Sequence, residues 1–305
     1  MQGSGAGDAG SGEKSLRGAE ELSAADAREE PRRPARALTI AGSDSGGGAG
    51  IQADLKAFAR CGVYGMSAVT AVTAQNTLGV SAVHLVPGEV IVAQVRAVVE
   101  DIGVDAVKVG MLGGAEGARA VARALEELPA GVPVVVDPVM VAESGASLLD
   151  EQARRLLVAE ILPRATVVTP NLPEARALAG GTHGAGDRAE VHALARAVLA
   201  LGAQAVVLTG GHRAEACDVF LAAERPAEAI EIPGERHPDG AAHGSGCTHS
   251  SVLAARLALG ATPLDAARTA RELAGEAVAH GLRAIGSGAG PVDVLGLERP
   301  TARLP

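Results

Sequence analysis

Short runs of β-branched residues alternate along the chain, from Ala37 onward, with longer segments in which apolar residues recur at helical spacing. The pattern predicts strands over residues 37–42, 67–73, 105–109, 133–137, 166–169 and 205–209. It predicts helices near residues 50–60, 89–101, 116–127, 150–160 and 188–201. An antiparallel pair near 217–222 and 228–232 is predicted to complete the sheet. Strands that alternate with helices in this way indicate an α/β protein with a mostly parallel central sheet, flanked by helices on both faces.

The two ends of the chain differ in composition from the middle. Residues 1–36 are rich in Gly, Ala, Ser, Glu and Arg and have almost no large apolar side chains. Such a segment cannot bury enough apolar surface to offset the entropy of ordering. We therefore predict a disordered N-terminal extension over 1–36, a single domain over 37–295 and a loose C-terminal tail over 296–305.

Composition and charge narrow the classes of function. The 305 residues are 47% hydrophobic, which is sufficient for one sizeable core. A net charge of −9 argues against nucleic acid and anionic membrane surfaces as partners. No apolar run approaches the roughly 18 residues that a membrane span requires, and no apolar segment follows Met1. These features predict a cytoplasmic protein that acts on a small molecule. The three cysteines lack metal-type spacing and are expected to be reduced thiols.

The sequence His-Gly-Ser-Gly-Cys-Thr at residues 243–248 leads from a glycine-rich turn directly into an apolar helix. The first amides of a helix have no intrahelical acceptor and carry the positive end of the helix dipole, so such a turn is a typical phosphate site. A cysteine at this point is expected to have a lowered thiol pKa, which would let Cys247 accept a proton or attack an electrophile. The same residues also fit a purely structural turn, with a small buried cysteine filling space.

Glycine and polar residues follow six successive predicted strands, and ligands of open α/β sheets bind beyond the carboxyl ends of the strands. The segments are 42–54, 75–76, 110–111, 137–140, 169–174 and 209–212. Several have ordinary explanations, since Asp44 could be an N-cap and Asn171 with Glu174 could form a capping box. Their accumulation at one edge of the sheet nevertheless predicts the active site there. Walker-type, dinucleotide-binding, nucleophile-elbow and paired zinc-ligand motifs do not occur at this edge.

Together these segments resemble the hydroxymethylpyrimidine/phosphomethylpyrimidine kinases of thiamine biosynthesis, members of the ribokinase-like superfamily. The resemblance extends from about Leu38 to about Asp293. The motifs that carry it are Ala41-Gly42-Ser43-Asp44, Gly47-Gly48-Ala49-Gly50-Ile51-Gln52-Ala53-Asp54-Leu55-Lys56, Gly62-Val63-Tyr64-Gly65-Met66, Thr73-Ala74-Gln75-Asn76-Thr77, Lys108-Val109-Gly110-Met111-Leu112, Asp137-Pro138-Val139-Met140, Thr169-Pro170-Asn171-Leu172-Pro173-Glu174-Ala175, Gly210-Gly211-His212 and Gly244-Ser245-Gly246-Cys247-Thr248.

The resemblance implies that ATP phosphorylates 4-amino-5-hydroxymethyl-2-methylpyrimidine, and that the same site then phosphorylates the monophosphate. Cys247 would be the base, and the backbone amides of Gly244, Ser245, Gly246 and Cys247 would hold the charge that develops on the transferred group. The predicted pyrimidine-binding residues are Asp54 and Gln75 for polar contacts, and Gly42, Ala49, Met111 and Val139 for the walls.

The resemblance also implies a site for ATP with Mg²⁺, and a homodimer. Asn171 and Glu174 match an element that organises magnesium and its waters, and Asp137 lies where a second carboxylate would contribute. Residues that match the nucleotide side are Thr209, Gly211, His212 and Thr248.

The chain departs from the family pattern at three points. Thr209 stands where a lysine is common, Ser45-Gly46 replaces a frequent Pro-Ser, and His249 replaces a frequent leucine. We interpret His249 as a solvated helix cap, with an extra phosphate donor as the alternative. Two alternative functions stay open: a pyridoxal-type kinase of the same superfamily, and a non-catalytic protein that senses or sequesters a pyrimidine.

Overall fold

A nine-stranded sheet organises the chain in the computed structural model, which describes residues 33–141, 148–180, 186–211, 216–238 and 240–298. The strands are β1 (Arg36–Asp44), β2 (Tyr64–Asn76), β3 (Gly79–Leu85), β4 (Ala106–Val109), β5 (Val134–Val136), β6 (Val167–Val168), β7 (Ala205–Leu208), β8 (Cys217–Ala222) and β9 (Ile230–Pro233). The helices are α1 (Gly50–Arg60), α2 (Gly88–Asp101), α3 (Gly114–Ala124), α4 (Glu151–Leu156), α5 (Leu172–Ala179), α6 (Arg188–Leu199), α7 (Ser245–Ala258) and α8 (Pro263–Ala279).

The strand order is β3-β2-β1-β4-β5-β6-β7-β8-β9. Strands β2, β1, β4, β5, β6 and β7 are mutually parallel, and β3, β8 and β9 pair antiparallel at the two edges. The mostly parallel sheet and the antiparallel pair after β7 are confirmed. Strand β3 was not predicted; it is an edge strand whose side chains are mostly exposed, so its sequence lacks the apolar signal of a buried strand.

Helices cover both faces of the sheet, and each face has its own apolar core. Val134 and Val136 pack into the core beneath α2, α3, α5 and α6, whereas Val135 between them packs into the core beneath α1, α7 and α8. Alternate residues of a strand point to opposite faces, so a valine triplet supplies both cores. In the described part of the chain, no helix is both long and apolar enough to cross a membrane.

Of the predicted boundaries that differ from the structure, two have a clear physical cause. Strand β1 begins at Arg36, inside the segment predicted to be disordered. Arg36 is fixed by Asp105, because the Asp105 carboxylate accepts hydrogen bonds from the backbone amide of Arg36 at 2.8 Å and from the Nε of Arg36 at 2.9 Å. The helix predicted near 150–160 is α-helical only to Leu156 and continues as a π-helical turn over Leu157–Ile161 and a 3₁₀ turn over Leu162–Arg164. Pro163 lies in this last turn and has no amide hydrogen with which to extend an α-helix.

Candidate active site

Two glycine-rich loops interlock at the carboxyl edge of the sheet. Gly244 has φ +82°, and a Cβ there would lie 1.8 Å from the carbonyl oxygen of Gly48. In return, a Cβ on Gly48 would lie 2.2 Å from Cδ2 of His243. Only glycine permits this approach, which brings the N-terminus of α7 beside the start of α1.

Asp44 organises the first of these loops. Its carboxylate accepts hydrogen bonds from the amides of Gly46 at 2.7 Å, Gly48 at 3.0 Å and Ala49 at 2.8 Å, and Nε2 of His243 lies 3.2 Å from Oδ2. Burial favours the neutral acid, but the contact with His243 and the amide donors together hold the pKa of Asp44 below its usual range. Asp44 is therefore an ionised anchor of the loop, and the N-cap of α1 is Ala49.

The first turn of α7 presents two amides without a backbone acceptor. The amides of Ser245 and Thr248 donate to the carbonyls of Ala242 and Gly244, both at 2.9 Å. Within the described ranges, the amides of Gly246 and Cys247 make no backbone hydrogen bond. Ser245 was predicted to offer its amide to phosphate; the structure shows that this amide is already bonded to Ala242 within the turn.

The predicted low thiol pKa of Cys247 was wrong. Cys247 keeps part of its surface exposed, yet the surrounding protein desolvates its thiol, and this burial is the main reason that its pKa is raised to about 12. The charge of Lys108 and a hydrogen bond from the Gly50 amide oppose the shift, whereas the carboxylates of Asp54 and Asp137 reinforce it. Desolvation together with two nearby acids outweighs these stabilising contacts, so the thiol form predominates at neutral pH.

Asp54 does not occupy the position predicted for a pyrimidine contact. Its side chain has no exposed area, and its two oxygens lie 2.9 and 3.0 Å from Nζ of Lys108. Oδ2 also accepts from the hydroxyl of Thr39 at 2.6 Å, and Oδ1 accepts from that of Ser251 at 2.7 Å. The predicted direct contact of Asp54 with the pyrimidine was wrong, because the hydrogen bonds of this carboxylate in the described structure are all with buried protein groups.

Gln75 does line a cavity, together with His243. The cavity has a volume of about 260 Å³, and Asn76, Thr77, Leu78, Gly79, Gly288 and Ala289 complete its lining. The Oε1 atom of Gln75 accepts a hydrogen bond from the hydroxyl of Thr73 at 3.1 Å, which leaves its amide hydrogens for a ligand. Elsewhere at this edge of the sheet, Met111 packs against Gly42. A Cβ added to Gly42 would lie only 2.8 Å from the sulfur of Met111. Ala49 and Val139, the other predicted wall residues, are each partly exposed.

Asn171 and Glu174 form the capping box that their spacing indicated. The Asn171 side chain accepts from the Glu174 amide, and Glu174 Oε2 accepts from the Asn171 amide, both at 2.9 Å. Burial, and after it the neighbouring Asp137, raises the pKa of Glu174 to about 8. Burial likewise raises the pKa of Asp137, whose Oδ2 accepts from the Ser250 hydroxyl at 3.0 Å.

The Asp137 and Glu174 pair fits a divalent cation, because two buried acids that raise each other's energy when ionised are relieved by a positive charge between them. Among the described residues no group of three or more His, Cys, Asp or Glu side chains is arranged to hold a metal. This is compatible with magnesium, which is usually held by one or two carboxylates together with water and phosphate oxygens.

On the predicted nucleotide side, the backbone of Thr209 pairs with Asn171, and the Thr209 amide donates to the carbonyl of Pro170 at 2.9 Å. The loops that follow β6 and β7 are therefore adjacent. Gly211 is exposed, whereas Thr248 is fully buried and its hydroxyl has no hydrogen-bond partner in the described part of the protein. His212 lies outside the described residues.

His249 is not the solvated cap that we predicted. It is 5% exposed, and its Nε2 lies 3.2 Å from Oδ2 of Asp218. The other oxygen of Asp218 accepts from the amide of Gly210 at 2.8 Å. Because α7 packs on the sheet at this point, the imidazole faces β8 and not solvent.

Sequence reasoning assigned no role to Lys108, His243, Asp218 or Ser251. Lys108 carried a readable signal, because a lysine between Val107 and Val109 in a strand buried on both faces must have a buried acidic partner. The identity of that partner, 54 residues away, was not readable.

Comparisons with known proteins identify the family of this chain. A family model described as phosphomethylpyrimidine kinase matches residues 44–293. The hydroxymethylpyrimidine/phosphomethylpyrimidine kinase of Rhizobium meliloti strain 1021 is 48% identical over 259 residues, which cover 84% of this chain and 95% of the relative. A solved structure of phosphomethylpyrimidine kinase from Clostridium difficile superposes with a TM-score of 0.67 at 38% identity, covering 78% of this chain and 96% of that one.

A pyridoxal kinase of Bacillus subtilis, solved as an ADP complex, superposes with a TM-score of 0.78 at 36% identity and covers 87% of this chain and 99% of its own. The fold is therefore the ribokinase-like fold. With a family model that matches most of its length and a relative at nearly half identity, this chain belongs to the phosphomethylpyrimidine kinase family.

Proposed function

We propose that this protein transfers the γ-phosphoryl group of ATP to the hydroxymethyl group of 4-amino-5-hydroxymethyl-2-methylpyrimidine and then to the resulting monophosphate. The observation that carries the proposal is the first turn of α7. In the described part of the chain, the amides of Gly246 and Cys247 in this turn have no backbone acceptor, and the buried Asp137 is tied to the same turn through Ser250.

The transferred phosphoryl group would bind at this turn. The amides of Gly246 and Cys247 would donate to the oxygens on which charge increases in the transition state, and Gly244, with its positive φ, adds no side chain to the approach. By analogy with oxyanion holes, each well-placed donor lowers the barrier by about 3–4 kcal/mol.

Asp137, Glu174 and Asn171 would hold Mg²⁺, directly or through its waters. When bound, magnesium supplies positive charge that neutralises the phosphate oxygens of ATP. With its raised pKa, the Glu174 carboxyl would have to release a proton for the ion to bind. Thr209, Gly211, His212 and Thr248 are proposed for the remaining contacts with the nucleotide.

The pyrimidine would bind beside Gln75 at the carboxyl edge of the sheet. A carboxamide both donates and accepts, so Gln75 can pair with a ring nitrogen and an exocyclic amine together. Gly42, Ala49, Met111 and Val139 are proposed as the apolar walls. Asp54 is proposed to support the site from beneath it and not to contact the ring.

Cys247 is proposed to accept the proton of the hydroxymethyl group as its oxygen attacks phosphorus. With a thiol pKa of about 12, the fraction of thiolate at neutral pH is small and increases with pH. If Cys247 is the base, we expect kcat to increase between pH 7 and pH 9. A homodimer and a cytoplasmic location remain predictions of the sequence.

A second candidate is a pyridoxal kinase, favoured by the structural similarity to solved pyridoxal kinases from Bacillus subtilis and Staphylococcus aureus. Pyridoxal is also a hydroxymethyl-bearing heteroaromatic ring, so the chemistry at Cys247 would be the same. The two candidates differ only in the contacts of the ring with the walls and Gln75.

A steady-state assay of ATP consumption with product identification distinguishes these functions. Hydroxymethylpyrimidine, its monophosphate and pyridoxal are offered separately with Mg²⁺. Turnover of both pyrimidines supports the proposal, whereas turnover of pyridoxal alone rejects the substrate and retains the chemistry. Tight pyrimidine binding without turnover would instead indicate a sensing protein.

A further inference from the structure

Helices α1 and α7 lie side by side. Four residues after Cys247 in α7, the hydroxyl of Ser251 donates to Oδ1 of Asp54 in α1 at 2.7 Å. Four residues are about one helical turn, or roughly 5.4 Å along the axis. The carboxylate of Asp54 therefore lies one turn behind the thiol, on the side away from the loops.

The Asp54 carboxylate connects four elements of the fold. It belongs to α1 and accepts hydrogen bonds from Ser251 of α7, from Thr39 of β1 at 2.6 Å, and from Lys108 of β4 at 2.9 and 3.0 Å. Asp54 and Lys108 have no exposed area. Moving this carboxylate would therefore move the turn of α7 that contains Cys247.

The ammonium of Lys108 is fully buried in the protein. A Cβ on Gly110 would be 2.8 Å from its Nζ, so the glycine leaves room for the ammonium. Because the ion pair is buried away from bulk solvent, its charges act over a longer range than they would at the surface.

Three ionisable groups act electrostatically on the thiol of Cys247. The ammonium of Lys108 favours the thiolate, whereas the carboxylates of Asp54 and Asp137 oppose it. Lys108 is affected reciprocally, because the charges of Asp54, Cys247 and Asp137 all favour its protonated form.

We propose that Lys108 and Asp54 are positioning residues for Cys247, and that their charges have opposite effects on loss of the proton from its thiol. Their ion pair, through Ser251, fixes the first turns of α7, while the ammonium promotes loss of the thiol proton and the carboxylate resists it. The consequence for catalysis rests on the proposed kinase function. The effect on the thiol itself does not depend on that function.

The test is the alkylation rate of Cys247 by iodoacetamide at pH 8.5, measured in EDTA by mass spectrometry of the Cys247 peptide. The proteins are wild type, Asp54→Asn and Lys108→Met. Asp54→Asn keeps the shape and most hydrogen bonds, so we expect it to react at least threefold faster than Lys108→Met, with wild type between the two. Cys61, at the end of α1, provides an internal control in each sample.

A purely structural role predicts a different result, because loosening the site would expose the thiol similarly in both variants. A rate ratio below threefold, or a reversed order, overturns the proposal. Thr39→Val is the matched control, since it removes a hydrogen bond to the same carboxylate without changing charge. Its rate should stay within twofold of wild type, and a rate as high as that of Asp54→Asn would also overturn the proposal.

If Lys108→Met does not fold, Asp54→Asn is compared with wild type, and a rate that is not higher than that of wild type overturns the proposal. Kinase assays on the same proteins distinguish failure of the proposed kinase function from failure of the proposed role of Lys108 and Asp54. Lack of turnover by wild type rejects the proposed function, while the alkylation rates still test the role of the charges. Normal wild-type turnover with equal alkylation rates rejects this inference alone.

Discussion

Glu174→Gln should change how the stability of the unliganded protein depends on pH. Glu174 is 8% exposed, and its pKa is raised to about 8 by burial and by the neighbouring Asp137. In the unfolded chain the same carboxyl titrates near 4.5. Glutamine has a similar shape, and its Oε1 can still accept the hydrogen bond from the Asn171 amide.

The direction in which stability changes with pH follows from how many protons the folded and unfolded states bind. Between about pH 4.5 and pH 8, the folded state keeps a proton on Glu174 that the unfolded state has released, so stability falls as pH rises. At about 1.4 kcal/mol for each unit of pKa difference, the full loss is on the order of 5 kcal/mol. The loss begins near the unfolded pKa and is complete near pH 8. Glutamine does not titrate, so Glu174→Gln removes this part of the dependence.

The assay is urea unfolding of both proteins at several pH values from 5 to 8, in EDTA. The free energy of unfolding of the variant should exceed that of wild type by an amount that grows with pH. Glu190→Gln is the control: its pKa is lowered mainly by hydrogen bonding to Arg176, so it adds no slope within this range. Parallel pH profiles for wild type and Glu174→Gln would show that Glu174 is ionised in the folded state, and would refute the reasoning.

Three further substitutions test the site. Cys247→Ser should lower kcat much more than it weakens pyrimidine binding, measured by steady-state kinetics and calorimetry; unchanged turnover would remove Cys247 from the mechanism. Gln75→Ala should mainly raise KM for the pyrimidine, by roughly tenfold if one good polar contact is lost, and unaltered discrimination against pyridoxal would contradict the pocket. Gly50→Ala should destabilise the fold by at least about 2 kcal/mol in urea unfolding, because φ is +56° and a Cβ would lie 2.3 Å from the Gly42 carbonyl oxygen. Gly62→Ala also has positive φ but meets no atom within 4 Å, so an equal loss there would show that the contact with Gly42 is unimportant.

Features that depend on neighbours in sequence were readable without a structure. The valine triplet of β5 indicated a strand buried on both faces, and the spacing of Asn171 and Glu174 indicated a capping box, because both patterns repeat a local backbone geometry. The glycine-rich turn before α7 was likewise apparent from residues 243–248. The exposed strand β3 was missed, since an edge strand has no continuous apolar pattern.

The protonation state of the site was decided by residues far apart in sequence. A helix N-terminus alone favours a thiolate at Cys247, yet the folded protein desolvates the thiol and brings Asp54 and Asp137 close to it. In the same way, Asp54 was expected to meet substrate and instead meets Lys108.

The sequence by itself determined the alternation of strands and helices, the edge of the sheet at which polar loops gather, and the family resemblance. Only the tertiary structure decided which buried charges neutralise one another and which remain to act on the thiol. The physical reason is that secondary structure follows from periodicity over a few residues. A pKa depends on burial and on charges within a few ångströms, and those neighbours are fixed only when distant segments pack together.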